Sequence, residues 1–227
     1  MNIMDSFPGK RYLIGLGIIF IVYSLAAFPP FYWAMPMQAR VVDTDTGEPI
    51  EGAIVVARWI LFGGFEGMDV GSMAIIETVT DKNGEFRFSW WGPRFRVPWG
   101  RIQDFDPGLI IYKEDYRFRY LTNSLNSSKG YSPIRWSDWD GKTIELKIFE
   151  GGMEGYARHL GNLDILFRFI GEQCNWKKVP HILVALGAEE DKLRQAGIIR
   201  TFYSPSYLPA DKGRCGSISE FFRNYKQ

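Results

Sequence analysis

The strongest constraint on this chain is a pair of strand-like stretches broken by tight-turn residues. The first reads ARVVDTDTGEPIEGAIVVARW over Ala39–Trp59, and the second AIIETVTDKNGEFRF over Ala74–Phe88. Short, alternating, β-branched runs bounded by Asp, Asn, Gly and Pro suit strands rather than helices. Asp43-Thr44-Asp45-Thr46-Gly47 is dense in turn formers, with Gly47 free to take a positive φ. Asp81-Lys82-Asn83-Gly84 sets Asn-Gly in the strongest short hairpin position, between strands predicted over Met73–Thr80 and Glu85–Trp90. Further strands are expected over Met37–Asp43, Ile54–Trp59, Gly108–Lys113 and Thr143–Phe149, with the Gly-rich Leu61–Ser72 as a long loop. With no helical pattern between them, these strands predict a mainly β fold, an antiparallel β-sandwich over residues 37–150.

The order of these elements carries a family likeness. V-x-D-x-x-T-G-x-P-I-x-G-A-x-V from Val41 to Val55 is followed by T-D-x-x-G-x-F from Thr80 to Phe86, then by an apolar strand ending K-x-x-Y over Ile110–Tyr116. In these motifs the chain resembles the carboxypeptidase regulatory-like domain. That resemblance implies a transthyretin-like (prealbumin-like) β-sandwich and names no reaction, because sandwiches of this kind host many functions. Leu61–Ser72 and an insertion at Trp91–Pro107 depart from the family's shorter pattern.

Before the sandwich, Lys10-Arg11 precedes seventeen residues without a charge, Tyr12–Phe28. The run fits a signal peptide, with Ser24-Leu25-Ala26 as a small-x-small cleavage site. It equally fits a transmembrane helix at the short end of the spanning range, stopped by Pro29-Pro30 and followed by Phe31, Tyr32 and Trp33 as an interfacial aromatic belt. Residues 1–11 are then a cytoplasmic lead and 12–33 the anchor or signal. The basic pair stays inside, and everything after Trp33 lies outside the cytoplasm. The expected location is the inner membrane, single-pass, with the C-terminal part in the periplasm. The alternative is secretion to the periplasm after cleavage. Without a Cys near residues 24–30 there is no lipoprotein anchor.

The side-chain inventory narrows function more than it defines it. Lys plus Arg number 27 against 26 Asp plus Glu, a net charge of +1 that argues against nucleic acid as partner. Asp81-x-Asn83-Gly84-Glu85 looks like part of a calcium loop but lacks the remaining oxygen ligands at the required spacing, so no metal is expected there. The two histidines, His159 and His181, fall in the C-terminal part, away from the sandwich. Some transthyretin-fold enzymes use His, Arg and a C-terminal Tyr-Arg-Gly-Ser, and a related sandwich binds iron through two His and two Tyr. Neither set is met here, so no catalytic residue, metal site or cofactor is expected and the chain reads as a non-enzyme. Trp90, Trp91, Trp99, Trp136 and Trp139 cluster in or beside two loops, where exposed rings stack on sugars or anchor a protein partner. Arg94, Arg96, Arg101, Arg117 and Arg119 flank them, and Asn126-Ser127-Ser128 is a formal N-glycosylation acceptor.

After Gly151-Gly152 the period changes. Met153, Tyr156, Leu160, Leu163, Phe167 and Ile170 recur at steps of three and four, predicting one helix with an apolar stripe packed on the sandwich or on a second helix. The second helix is expected from Pro180 to about Gln195, with Gly197 as its stop and Gly187 as a point of bending. Outside the cytoplasm Cys174 and Cys215 are expected to form a disulfide that ties the C-terminal tail to the first helix. The sequence therefore predicts a membrane-anchored, non-catalytic interaction module with a helical region over 151–227, an accessory subunit of an envelope complex with a protein partner. The alternative is a carbohydrate-binding module that uses the loop tryptophans; a hydrolase or metalloenzyme ranks below both.

Overall fold

Two unbroken apolar runs, Ile54-Val55-Val56-Ala57 and Leu109-Ile110-Ile111-Tyr112, are the pattern of strands covered on both faces. In the computed structural model they are the centre of the fold. It describes residues 9–27, 31–64, 67–95, 100–124, 132–163, 167–171, 174–199, 208, 215–223 and 225. A helix α1 (Gly9–Ala27) precedes eleven strands: β1 (Phe31–Ala34), β2 (Met37–Asp43), β3 (Ile54–Gly63), β4 (Met68–Val79), β5 (Glu85–Phe88), β6 (Trp91–Phe95), β7 (Gly100–Ile102), β8 (Gly108–Tyr112), β9 (Arg119–Leu121), β10 (Ile134–Arg135) and β11 (Thr143–Leu146). Helices α2 (Met153–Gly161), α3 (Pro180–Gln195) and α4 (Ile218–Arg223) follow, with 3₁₀ turns at Arg168–Gly171 and Asn175–Lys178.

The strands form three sheets. The largest runs β4-β3-β8-β9, with β7 also paired to β3; the two smaller ones run β10-β1-β6 and β11-β2-β5. One face of β3 and β8 (Val55, Ala57, Trp59, Leu109, Ile111) packs on buried residues of both small sheets, among them Tyr32, Val41, Phe86 and Ile144. The other face (Ile54, Val56, Ile110, Tyr112) packs on Leu160, Phe167, Ile182, Leu186 and Phe222 of the helical region. The result is a mainly β, sandwich-like body with a helical layer on its large sheet. Burial on both faces of β3 and β8 makes this sheet the main hydrophobic contribution to stability.

The family-like motif residues converge on one corner. Asp43 Oδ1 accepts from the Asp45 and Thr46 amides, both at 2.9 Å. Those bonds to the charged form hold its carboxyl below the usual range. Gly47 and Gly52 take φ of +72° and +74°. The buried Thr80 hydroxyl donates to Ile50 O at 2.7 Å and accepts from Ala53 N at 2.8 Å. Lys113 Nζ donates to Glu51 O at 2.8 Å. The pattern is thus explained by turn and corner bonding, with no reactive group involved.

Several expectations are corrected. The Asn83-Gly84 turn forms, with Asp81 Oδ1 accepting from Asn83 and Glu85 amides at 2.9 Å, but it joins no hairpin. β4 pairs with β3 while β5 pairs with β2, so the turn carries the chain from one sheet to another. Buried Thr80 fixes that corner. Leu61–Ser72 is not a loop: β3 and β4 extend into it from both sides, paired out to Gly63 and Met68. Bulges at Trp59/Ile60 and Leu61/Phe62 absorb the irregular register, Arg58 bonds Asp69 and Ser72 at 2.7 Å, and β7 pairs with the far end of β3. The sandwich is not purely antiparallel, because β1–β10 and β2–β11 are parallel pairs. The single helix expected from Met153 ends at Gly161, although Leu163, Phe167 and Ile170 stay buried; Met153 is exposed. The second helix runs over Pro180–Gln195 with Pro180 in its first turn and passes through Gly187 without a break, and Gly197 takes φ +81°. Residues 31–34, placed with the anchor by the sequence, belong to the β body: Tyr32 and Ala34 are core residues.

Among the described residues no helix is long and apolar enough to cross a membrane. Every large apolar side chain over residues 12–23 of α1 is nonetheless exposed, at 56% to 76%.

Candidate functional site

The sheet β10-β1-β6 has one covered face and one open face, following the strand period of two. Along β1, Tyr32 and Ala34 point inward while Phe31 and Trp33 point outward, and exposed Met35 follows. Register sets Phe31 opposite Phe95 of β6 and Trp33 opposite Ile134 of β10. The Phe31 ring meets Phe95 edge-on at 5.3 Å and lies 6.2 Å from Trp33. Phe95 is 68% exposed. Beside this row lies an open pocket of about 480 Å³, lined by Trp33, Ala34, Met35, Pro36, Trp90, Pro133 and Ile134. Its side chains offer indole N–H groups and otherwise only carbon and sulfur. Such a wall accommodates an alkyl chain or an apolar side chain; a sugar needs hydrogen-bond partners beside the ring it stacks on.

The five tryptophans expected as one contact surface are divided by the structure. Trp90 is 64% exposed and lines the pocket, whereas its neighbour Trp91 is 6% exposed and meets Trp59 edge-on at 5.2 Å in the core. Trp139 is half-buried and donates from Nε1 to Thr122 O at 3.0 Å. Trp136 is partly open and its carbonyl accepts from Asn123 Nδ2 at 2.8 Å. Trp99, Arg96 and Asn126-Ser127-Ser128 lie outside the described residues. Of the flanking arginines, Arg94 donates to Met73 O at 2.8 Å with its guanidinium 5.0 Å from the Trp91 ring. Arg119 donates to Glu145 O at 3.2 Å, and Arg117 lies over Phe149. Trp33 and Ile134 join Trp90 in the pocket, a grouping that no local sequence pattern announced.

The titratable groups are occupied structurally. His159 Nε2 accepts from Phe118 N at 3.1 Å, and the ring sits between Phe118 and Phe149. Burial and nearby Arg117 lower its pKa. His181 lies at the start of α3, where Glu77 of β4 accepts from the His181 and Ile182 amides at 2.9 Å and contacts His181 Nδ1 at 2.8 Å. Glu77 thus caps α3 from another element, satisfying amides that have no intrahelical partner; burial raises its pKa despite those bonds. Glu189 is pushed up to about 7 by burial, partly offset by Lys192, which also bridges Glu114 and Asp115 at 3.0 and 3.1 Å. Among the described residues no three His, Cys, Asp or Glu side chains gather as a metal site.

Among the described residues Asp106 is the most deeply placed carboxyl. It is fully buried, its Oδ2 accepts from Ile60 N at 3.2 Å beside the β3 bulge, and burial pushes its pKa up to about 7 despite Arg135 and Arg58. Oδ1 has no hydrogen-bond partner among the described residues. Because the folded state holds this proton more tightly than the unfolded chain, the contribution of Asp106 to stability is fully present below about pH 4 and is lost as pH rises through about 7. Asp106→Asn, which mimics the protonated acid, is expected to flatten that decline and stabilise the protein at pH 8 by about 2 kcal/mol. Urea midpoints measured from pH 4 to pH 8 check this; an unchanged slope in the variant rules Asp106 out as its source.

No family model matches the sequence, and no curated protein does either. Solved structures give low-scoring likenesses. The 3-chlorocatechol 1,2-dioxygenase of Rhodococcus opacus 1CP aligns at 15% identity over 52% of this chain and 61% of its own, with a TM-score of 0.31. The chlorocatechol 1,2-dioxygenase of Pseudomonas putida aligns at 15% over 54% and 62%, with a TM-score of 0.30. S.CueP aligns at 11% over 63% and 99%, with a TM-score of 0.27. The chain thus spans about three fifths of the dioxygenase chains it aligns with. At these scores the likenesses carry no argument about fold family or activity.

Proposed function

We propose that the chain is a membrane-anchored, non-catalytic interaction module built on a transthyretin-like sandwich of the carboxypeptidase regulatory-like kind, an accessory subunit of an envelope complex. The observation that carries this reading is that α1 exposes every large apolar side chain over residues 12–23, and that the open apolar face of β10-β1-β6 begins four residues after it in the chain. A helix apolar all round and exposed all round needs a covering of lipid or of another apolar helix. The Cys174–Cys215 bond suits an oxidising compartment, which supports an inner-membrane anchor with the body in the periplasm. The same body remains whole if α1 is removed as a signal peptide. The carbohydrate-binding alternative loses ground because the pocket is apolar and two of its five tryptophans are taken up by the core and a backbone bond.

The test is recovery of the tagged full-length protein from its own membranes in mild detergent, with mass spectrometry of co-purifying chains. One envelope protein at near-equal stoichiometry is the expected result. A chain that comes down alone sinks the accessory-subunit reading, and Trp-fluorescence titration against a glycan panel then decides the alternative.

A further inference from the structure

The open face of β10-β1-β6 has an occupant that follows from where it stands in the chain. Only four peptide units separate Ala27, the last residue of α1, from Phe31, so their Cα atoms are at most about 14 Å apart. The uncharged part of α1, Tyr12–Ala27, is about 24 Å long, against a hydrocarbon core of about 30 Å. A helix that short meets a bilayer by drawing its flanking residues into the interfacial layer. The flank here is a preformed sheet face carrying Phe31, Trp33, Met35, Trp90, Phe95 and Ile134, all turned to the same side or to the pocket beside it. Aromatic rings with an apolar body and one polar edge are the side chains that partition to the headgroup boundary.

We infer that this face is a lipid seat: it lies in the interfacial layer of the membrane that α1 enters, with the pocket between Trp33, Trp90 and Ile134 holding an acyl chain. The seat supplies the apolar depth that α1 lacks, and it fixes the orientation of the body, presenting the helical layer on the large sheet away from the bilayer. The inference rests on the anchor reading of α1 and identifies what the aromatic face contacts. Two classes of occupant separate cleanly. A lipid seat forms with the purified chain alone, whereas a protein docking face stays in water until its partner is added.

The experiment uses the full-length chain, with its disulfide intact, in vesicles of phosphatidylcholine and phosphatidylglycerol that contain bromine-labelled acyl chains. A small fluorophore is attached at Trp90→Cys or, independently, at Phe95→Cys; a third protein carries it at Asp191→Cys on the exposed side of α3. Flotation of the vesicles first reports whether the chain is anchored. Lipid quenching about twofold or more stronger at 90 and 95 than at 191 is the expected outcome. A chain that floats but is quenched at 90 and 95 no more than at 191 overturns the seat and leaves the anchor standing. A chain that fails to float removes the anchor reading and the seat with it.

Discussion

Gly84→Ala is expected to cost the protein about 3–5 kcal/mol, from backbone strain added to overpacking. Gly84 takes φ +72°, and an alanine Cβ there would stand 3.2 Å from both Ile50 N and Pro49 Cβ and in hard collision with Val41 O. None of these atoms can yield cheaply. Val41 N donates to Gly84 O at 2.8 Å and Ile50 N to Val41 O at 3.0 Å, so the colliding oxygen is held in the ladder of β2. Gly47→Ala is the matched control: its φ is also +72°, but nothing lies within 4 Å of the added carbon. It is expected to cost about 1 kcal/mol, the left-handed penalty alone. Urea denaturation of both variants separates clash from φ strain. Equal midpoints would mean that the corner relaxes freely and that close packing of the two sheets is not what Gly84 protects.

That comparison also shows how far the sequence could be read. The Asn83-Gly84 turn was legible because turn chemistry is local: the Asp81 carboxylate and a glycine at positive φ suffice to define it. What the turn connects was not legible, because β5 pairs with β2 across more than forty residues of chain, while Thr80 at the end of β4 is held by Ile50 and Ala53, 30 and 27 residues away. For the same reason Met37–Asp43 and Pro180–Gln195 were read to their ends, since period and caps specify them. β6, β7, β9 and β10, two to five residues each, have no periodicity of their own and exist only through partners. Glycines 63, 64, 67 and 71 concealed the extension of β3 and β4, which long-range pairing to β7 and the Arg58–Asp69 contact sustain.

The candidate site was legible only as composition. Adjacent Trp90 and Trp91 read as one aromatic cluster, yet they lie on opposite sides of the sheet surface, one in the pocket and one in the core. Period-two alternation carried past Phe88 would have placed Trp90 inward with Phe86 and Phe88 and Trp91 outward, the reverse of the structure, because the chain leaves β5 at Phe88 and enters a different sheet with β6 at Trp91. Trp33 and Ile134 enter the same pocket from segments about a hundred residues apart, which only the parallel β1–β10 pairing brings together.

Loss of the Cys174–Cys215 bond is expected to have the second large effect. The sulfurs are bonded and the cysteines lie 41 residues apart, so closing that loop restricts the unfolded chain by about 4 kcal/mol in the entropy model. The native contacts around the bond argue that this appears as global stability. Trp176, just after Cys174, meets Phe221 edge-on at 5.0 Å and Phe222 at 5.7 Å, the fourth and fifth residues of α4 and six and seven residues after Cys215. Trp176 and Phe222 belong to the same buried cluster as Ile75, Ile110 and Leu186, so the tail is seated on the large sheet. The double variant Cys174→Ser, Cys215→Ser is expected to keep that packing and lose about 4 kcal/mol, read as a lower urea midpoint in one cooperative transition. Adding a reductant to the parent protein should reproduce the shift, and the variant should then be insensitive to it. An early separate transition with release of Trp176 fluorescence would instead mean that the bond, and not the aromatic packing, holds the tail in place. An unchanged midpoint would remove the disulfide from the stability of the fold.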